Sequence, residues 1–550
     1  MISFIFITTL LIFIVAYLSY GRFLSRRYAI DNNVQTPSHS MIDGYDYVPT
    51  HKMVLFGHHF SSIAGAGPII GPIIATLTFG WMPVILWVII GSIFIGGVHD
   101  FSAIVVSMRH KGTSIANVAK EYLNKRARLL FLIFVWLALV YVITVFTDIT
   151  ADAFKEDGGV ASSSVFYIVL AMGCGISIYK LNISIFKASL LSIPLLFLGI
   201  WIGQEIPLRP DVISELGGDV KKVWSILILI YCLTASILPV WFLLQPRDYL
   251  SSYLLYSSVL AGMFGIIIGG FEVKFPPFVQ FHSEDLGYLF PSLFIIVACG
   301  AISGFHSLVA SGTTSKQINN ETDACFIGYG GMLVEGLVAV ISIIAVAIIS
   351  TGDPLIDKQP MQIYSAAMGK FSANLGLSEQ FGNSFGILSL SAFILTTLDT
   401  ATRLGRYVIQ ELFGGIDKFD KYLATILTII LPFIFIFIQF TDPMGRPIPS
   451  WKAIWPVFGA SNQLLGALAL LVIYIWQKKS GNKTLFISIP MIFMLLVALT
   501  SLFFLIIKYK LSIIGIIAIL LFCLAIFLCT ETYLIYRKMR VADMGYKNNQ

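Results

Sequence analysis

The sequence predicts an all-α polytopic membrane protein, and three observations carry that prediction. Hydrophobic residues make up 57% of the 550-residue chain and charged residues only 12%, at a mean hydropathy of +0.85. Apolar runs near the ~20-residue spanning length recur about fifteen times. They fall at 2–20, 53–77, 82–108, 128–150, 164–180, 183–203, 222–244, 249–270, 288–312, 325–351, 382–398, 420–440, 456–476, 484–507 and 511–535. Two of them, 53–77 and 288–312, are broken by Gly, Pro, Ser and His where an ordinary spanning helix is uniformly apolar. Connecting stretches stay below about 30 residues, too short for a soluble catalytic domain.

The first run has no basic residue before it, while Arg22, Arg26 and Arg27 follow it. That is the reverse of a cleavable signal peptide, so the run is expected to remain, with its N-terminus outside. From that start, the inner loops and C-terminal tail hold 25 of the 36 Lys and Arg residues and the outer loops 11. This positive-inside bias fits fifteen spans with the C-terminus inside. It also accounts for the formal charge of +6, which therefore gives no support to nucleic-acid binding. The six cysteines show no metal-type spacing and are expected to be reduced, packed thiols.

After the polar linker 21–52, residues 56–75 hold Gly57, Gly65, Gly67 and Gly71, together with Pro68, Pro72 and the adjacent His58 and His59. Each proline lacks an amide donor, and a carbonyl left unpaired in lipid costs several kcal/mol. Such backbone survives only inside protein or beside a cavity, so a broken helix at a binding site is expected. The next span carries His99 and Asp100, which point about 100° apart on a helix and need not touch. Ser114 to Asn124 reads as an amphipathic interfacial helix, with Ile115, Val118, Ala119, Tyr122 and Leu123 on one side. Arg247 and Asp248, at a tight inner turn, read as a cap for the following helix.

Residues 290–316 repeat the small-residue, Ser- and His-bearing character of the first interruption, with Gly300, Ser303, Gly304, His306 and Ser307. Gly328, Gly331 and Glu335 then share a helix face, which directs Glu335 into protein. Asp399 lies beside Arg403 and Arg406 at the inner end of a span, as an inner gate or a helix-end ion pair. Asn462 and Gln463 enter an apolar run from outside.

Each interruption opens a set of seven spans, and an odd number inverts the second set. The expected organisation is an N-terminal span and inner linker (1–52), a first half (53–270), an inverted second half (288–535) and a cytoplasmic tail (536–550). The two broken helices would then meet near the midplane, as in many secondary transporters.

At this point the motifs become specific. Residues 57–68 resemble the signature stretch of the carbon starvation protein A family of bacterial membrane transporters, and residues 97–101, 244–250, 299–307, 395–406 and 458–465 also look like family motifs. The resemblance implies an uptake protein of the bacterial cytoplasmic membrane, used when carbon is scarce, with members linked to peptide use and others to proton-coupled pyruvate uptake. It also implies a five-plus-five inverted repeat of the leucine-transporter type; two extra spans per half would reconcile this with seven plus seven.

The expected function is therefore proton symport of a small carboxylate-bearing nutrient, without a cofactor. The expected substrate contacts are His58, His59, Ser61, Ser62, Gly65, Gly67, Ser303, His306 and Ser307, because two half-helix N-termini facing one level favour an anion. His99, Asp100, Glu335 and Asp399 are the expected coupling or gating groups. A His-ligated metal site and an ion channel are the alternatives. An enzyme is the weakest reading, because serines near histidines are equally expected in a polar cavity.

Overall fold

A computed structural model describes residues 1–547 except 45, 123–124, 240, 415–418 and 442–445. It is mostly helical. Twelve helices are long and apolar enough to cross a membrane, from Ile2–Arg27 to Ile513–Glu531. The pair Lys52–Ile63 and Gly67–Phe79, bent by 46°, passes the same test as one broken unit. Two further segments expected to span fall short of that length: the interrupted 289–312 stretch and Lys421–Phe437.

The first break falls where the glycines and proline put it. The Lys52–Ile63 helix stops, three residues intervene, and Gly67 opens the next helix with Pro68 in its first turn, where a missing amide costs nothing. The second break comprises a short turn at Ala298–Ala301, extended backbone at Ile302 and Ser303, and the Gly304–Gly312 helix. That half-helix therefore starts two residues earlier than His306, where the sequence placed it.

The two broken segments pack directly on each other, and glycines make this possible. A Cβ on Gly67 would lie 2.3 Å from the Cys299 Cβ, and one on Gly71 would lie 2.2 Å from the Ile296 carbonyl oxygen. Small residues of this kind let backbones approach where lipid supplies no hydrophobic drive. Replacing Gly67 by Val is accordingly expected to part the two segments and lower the yield of folded protein. Selective loss of substrate binding is not the expected result. Membrane yield and gel-filtration profile of Gly67→Val check this, and a wild-type profile would refute it.

Two local readings change. The short helix is Ile115–Lys120, and Ile115, Val118 and Ala119 are buried in protein, with the Ile115 amide donating to Ser311 Oγ at 3.0 Å. Its apolar side therefore meets protein; Leu123 and Asn124 fall outside the described residues. Arg247 is fully buried and pairs with Asp399, so it is no simple helix cap, and Asp399 finds its partner there rather than in its neighbours Arg403 and Arg406. The six cysteines are all free thiols, with Cys523 exposed on the outer face of its helix.

Candidate functional site

Two polar clusters occupy the interior, and the expected site residues divide between them. The first joins the Gly97–Arg109 helix, the Gly304–Gly312 helix and the Gly331–Ala347 helix. Asp100 accepts from His99 Nδ1 and from His306 Nδ1, each at 2.7 Å, and His306 Nε2 lies 3.3 Å from Glu335 Oε2. All four side chains are fully buried. The neighbours His99 and Asp100 do touch, and the second oxygen of Asp100 reaches His306 on the facing half-helix.

This geometry fixes proton positions. Each imidazole that donates from Nδ1 to the shared carboxylate leaves its Nε2 as the remaining site. Between His306 Nε2 and Glu335 there is then room for one proton, carried either by the imidazole or by the carboxyl. Their 3.3 Å separation lies within ion-pair distance but is not aligned as a hydrogen bond. His59 lines the same face: its Nδ1 is 2.8 Å from Thr314 Oγ1, and a Cβ on Gly331 would sit 3.5 Å from its Cδ2. Among the described residues, His59 Nε2, His99 Nε2 and both Glu335 oxygens have no hydrogen-bond partner. Unpaired polar atoms in a dry interior are costly, and a functional site is where that cost is tolerated. Among the described residues, no three His, Cys, Asp or Glu side chains are grouped so as to hold a metal ion.

The second cluster holds His58 and Asp399. His58 Nδ1 pairs with Asp248 Oδ2 at 2.9 Å, Asp248 Oδ1 with Arg247 Nη2 at 3.2 Å, and Arg247 Nη1 with Asp399 Oδ2. Tyr231 donates to the same Asp399 oxygen at 2.8 Å. His58 and His59, adjacent in sequence, thus serve different clusters.

The serines sit at the breaks with their hydroxyls engaged. Ser61 and Ser62 donate to the His58 carbonyl at 3.2 and 2.8 Å, and Ser307 donates to the Gly304 carbonyl at 2.7 Å. Gly65 is packed so that a Cβ would meet Thr397 Oγ1 at 2.8 Å. Ser303 donates to Asn462 Oδ1 at 3.2 Å, and the Phe305 amide donates to the same oxygen at 2.9 Å. Asn462 therefore caps the half-helix whose N-terminus was expected to face an anion. Its sequence signal was an amide side chain inside an apolar run, but nothing in the sequence ties it to Phe305.

Comparison with known proteins decides the family. The family model for carbon starvation protein CstA matches residues 2–356 and 354–501. The chain belongs to the carbon starvation protein CstA family. It is a carbon-starvation transporter, a multi-pass bacterial membrane protein. The peptide transporter CstA of Escherichia coli K12 is 30% identical over 90% of this chain and 80% of its own length. The CstA peptide transporter of Bacillus subtilis 168 is 31% identical over 85% of this chain and 84% of its own. The pyruvate/proton symporter BtsT of Escherichia coli K12 is 31% identical over 85% of this chain and 76% of its own. Among solved structures, a mutant manganese transporter from Eremococcus coleocola aligns over 90% of this chain and 99% of its own, at 14% identity and a TM-score of 0.47.

Proposed function

We propose that this CstA-family chain imports a small carboxylate-bearing nutrient, a peptide or pyruvate, by proton symport across the cytoplasmic membrane, and that it catalyses no chemical conversion. The observation that carries the reading is the packing of two helix breaks against each other beside the Asp100–His306–Glu335 chain. The names of the relatives supply the substrate classes; the proton acceptors come from this chain's own residues. In this reading the substrate carboxylate binds between residues 61–68 and 303–307, where helix N-termini favour negative charge. To do so it replaces Asn462 Oδ1 at the Phe305 amide and draws the Ser61, Ser62 and Ser307 hydroxyls from their backbone acceptors. A proton taken up at the His306–Glu335 pair compensates the incoming charge.

The architecture proposed with it is an inverted repeat of leucine-transporter type, with halves at 53–270 and 288–535, the N-terminus outside and the C-terminus inside. Counting the bent pair, the 289–312 segment and Lys421–Phe437 as spans brings the twelve helices to fifteen. Cysteine labelling from either face is expected to place 155–158 outside and 111–122 inside. Labelling of both loops from one face would remove the inverted halves.

Uptake of labelled pyruvate and of a labelled dipeptide by proteoliposomes, with and without an imposed pH gradient, tests the function. Accumulation that follows the gradient is expected for one of them, and gradient-independent flux of both would refute symport. A sharper test is Asn462→Asp, which puts a fixed carboxylate at the half-helix N-terminus. It should mimic bound substrate and weaken substrate affinity about tenfold or more, a change of ~1.4 kcal/mol. Unchanged affinity would mean that the carboxylate binds elsewhere.

A further inference from the structure

At one end of the bundle a short segment is held by two neighbours. Residues 317–321 follow the Gly304–Gly312 helix that carries His306, and linker residues 29–40 and Thr50 are stitched along them. The Ser38 hydroxyl donates to the Ile318 carbonyl at 2.7 Å, Thr36 Oγ1 to the Asn319 carbonyl at 3.2 Å, and the Thr50 amide to the Gln317 carbonyl at 3.0 Å. At the end of the segment Arg109 grips Glu321 through a two-pronged pair, from Nε at 2.6 Å and from Nη2 at 3.0 Å. The Asp31 amide donates to the same carboxylate at 2.9 Å, and the Ala29 carbonyl accepts from Arg109 Nη2 at 3.3 Å.

Arg109 ends the Gly97–Arg109 helix, which carries Asp100, so this pair joins the far ends of the two helices that share the Asp100–His306 contact. Ser107 Oγ and Ser315 Oγ, 2.8 Å apart, make a second tie between them. The same stretch of chain walls a polar cavity beside His58, which Lys316 and Gln317 line together with Thr400 and Arg403. The cavity volume is ≈ 40 Å³, room for about three waters at ~10–15 Å³ each, so no nutrient passes while the wall is in place. The Glu321 side chain is 2% exposed and that of Arg109 34%. A buried pair at the edge of water is suited to a latch. Desolvation offsets much of its Coulombic attraction, so parting both charges into water costs far less than stranding one in protein. The forked geometry fixes the closed position.

We propose that residues 317–321 are a gate at this end of the transport path, latched by Arg109 and Glu321 and braced by linker residues 29–40, and that substrate passes there only when the segment swings away. Opening draws the Gly304–Gly312 helix off the Gly97–Arg109 helix, so it also parts His306 from Asp100. The inference rests on transport through the bundle, and on neither proton coupling nor the carboxylate site between the breaks.

Thr400→Cys in the purified full chain, alkylated by a neutral maleimide and read by mass spectrometry of its own peptide, reports opening of the cavity, because Thr400 is 5% exposed. Glu321→Gln and Arg109→Gln should each speed that alkylation about tenfold, as a tenfold rise in the open population would. Buried Cys232 in the same digest reads unfolding and should stay unreacted. A disulfide lock tests the gate in the other direction. Thr50 and Ile318 pair across a parallel bridge, where neighbours lie about 4.7–4.9 Å apart, within the ~4.4–6.8 Å a disulfide spans. Thr50→Cys with Ile318→Cys, oxidised in proteoliposomes, should lose at least about tenfold of the uptake of whichever of pyruvate and dipeptide the wild type takes up. Reduction should restore it, with oxidised wild type as the control for native thiols. If both latch variants expose Cys232, the lock decides. Wild-type alkylation rates in folded Glu321→Gln and Arg109→Gln, or full uptake by the crosslinked protein, would overturn the gate. If the wild type takes up neither substrate, the transport reading fails for those two and the alkylation rates alone decide the gate.

Discussion

Glu335→Gln is expected to abolish pH-driven accumulation while leaving a folded protein, and Asp100→Asn is expected to have the same effect on transport at a larger cost in stability. Glutamine keeps the shape of Glu335 but cannot release a proton, so the single proton site facing His306 Nε2 disappears. The titratable groups around Glu335 are His306 on the Gly304–Gly312 helix, Asp100 on the Gly97–Arg109 helix and Cys299 at the second break. In the wild type, acidifying the outer medium fills the site and raises uptake. In Glu335→Gln the remaining flux should be flat with external pH and reduced roughly 100-fold or more, the scale of losing a positioned proton-transfer group. Asp100→Asn acts one bond further away. Its amide has one acceptor oxygen where two imidazole N–H groups need acceptors, so one buried donor is orphaned, at a cost of about 1–3 kcal/mol. His306 is then free to turn, and its Nε2 no longer faces Glu335 in a fixed tautomer. Substrate counterflow, which needs no net proton movement, should persist in Glu335→Gln. Normal gradient-driven accumulation in that variant would end the proposed role.

The parts of this arrangement that the sequence revealed are those encoded locally. Gly65 lies in the break and Pro68 in the first turn after it, while Gly71 and Pro72 sit within the following helix, and His58, His59, His99, Asp100 and Glu335 stand out because ionisable groups are costly at that depth. The expected meeting of the two breaks is seen as direct packing of Gly67 and Gly71 against Cys299 and Ile296. The partners were not legible. Asp100 and His306 are 206 positions apart, and Asn462 and the Phe305 amide are 157 apart, so packing alone joins them. Periodicity is also silent about what an apolar face meets: Ile115, Val118 and Ala119 give the same pattern against protein as against lipid. Adjacent histidines mislead for a related reason. Residues 100° apart on a helix face different neighbours, so His58 reaches Asp248 while His59 reaches Thr314.

The largest effect on folding is expected from Arg247→Ala. The guanidinium is completely buried and joins Asp399, Asp248 and the Tyr231 hydroxyl, while its own carbonyl accepts from Tyr167 at 2.5 Å. It thereby ties the Leu244–Ile268 helix to Val220–Ile237 and Glu379–Leu412, and through Asp248 and His58 to the broken helix. Removing it leaves Asp399 and Asp248 buried with their shared cation gone. Breaking a buried pair on one side costs about 3–5 kcal/mol, because the remaining charge has no compensation. With typical net stabilities of only about 5–15 kcal/mol, folded Arg247→Ala should be scarce in membranes. Arg247→Lys should not rescue it, since a single ammonium cannot reach two carboxylates and a tyrosine at once as a planar fork does. Arg247→Met combined with Asp399→Leu removes that ion pair and leaves Asp248 with His58 alone, so it should restore part of the yield, because replacing a buried pair by apolar groups of similar size is often neutral. Thermal-shift and membrane-yield measurements on the three variants decide the matter. A single Arg247→Ala as stable as the wild type would show that the network is solvated in the membrane and that its burial does not set the fold's stability.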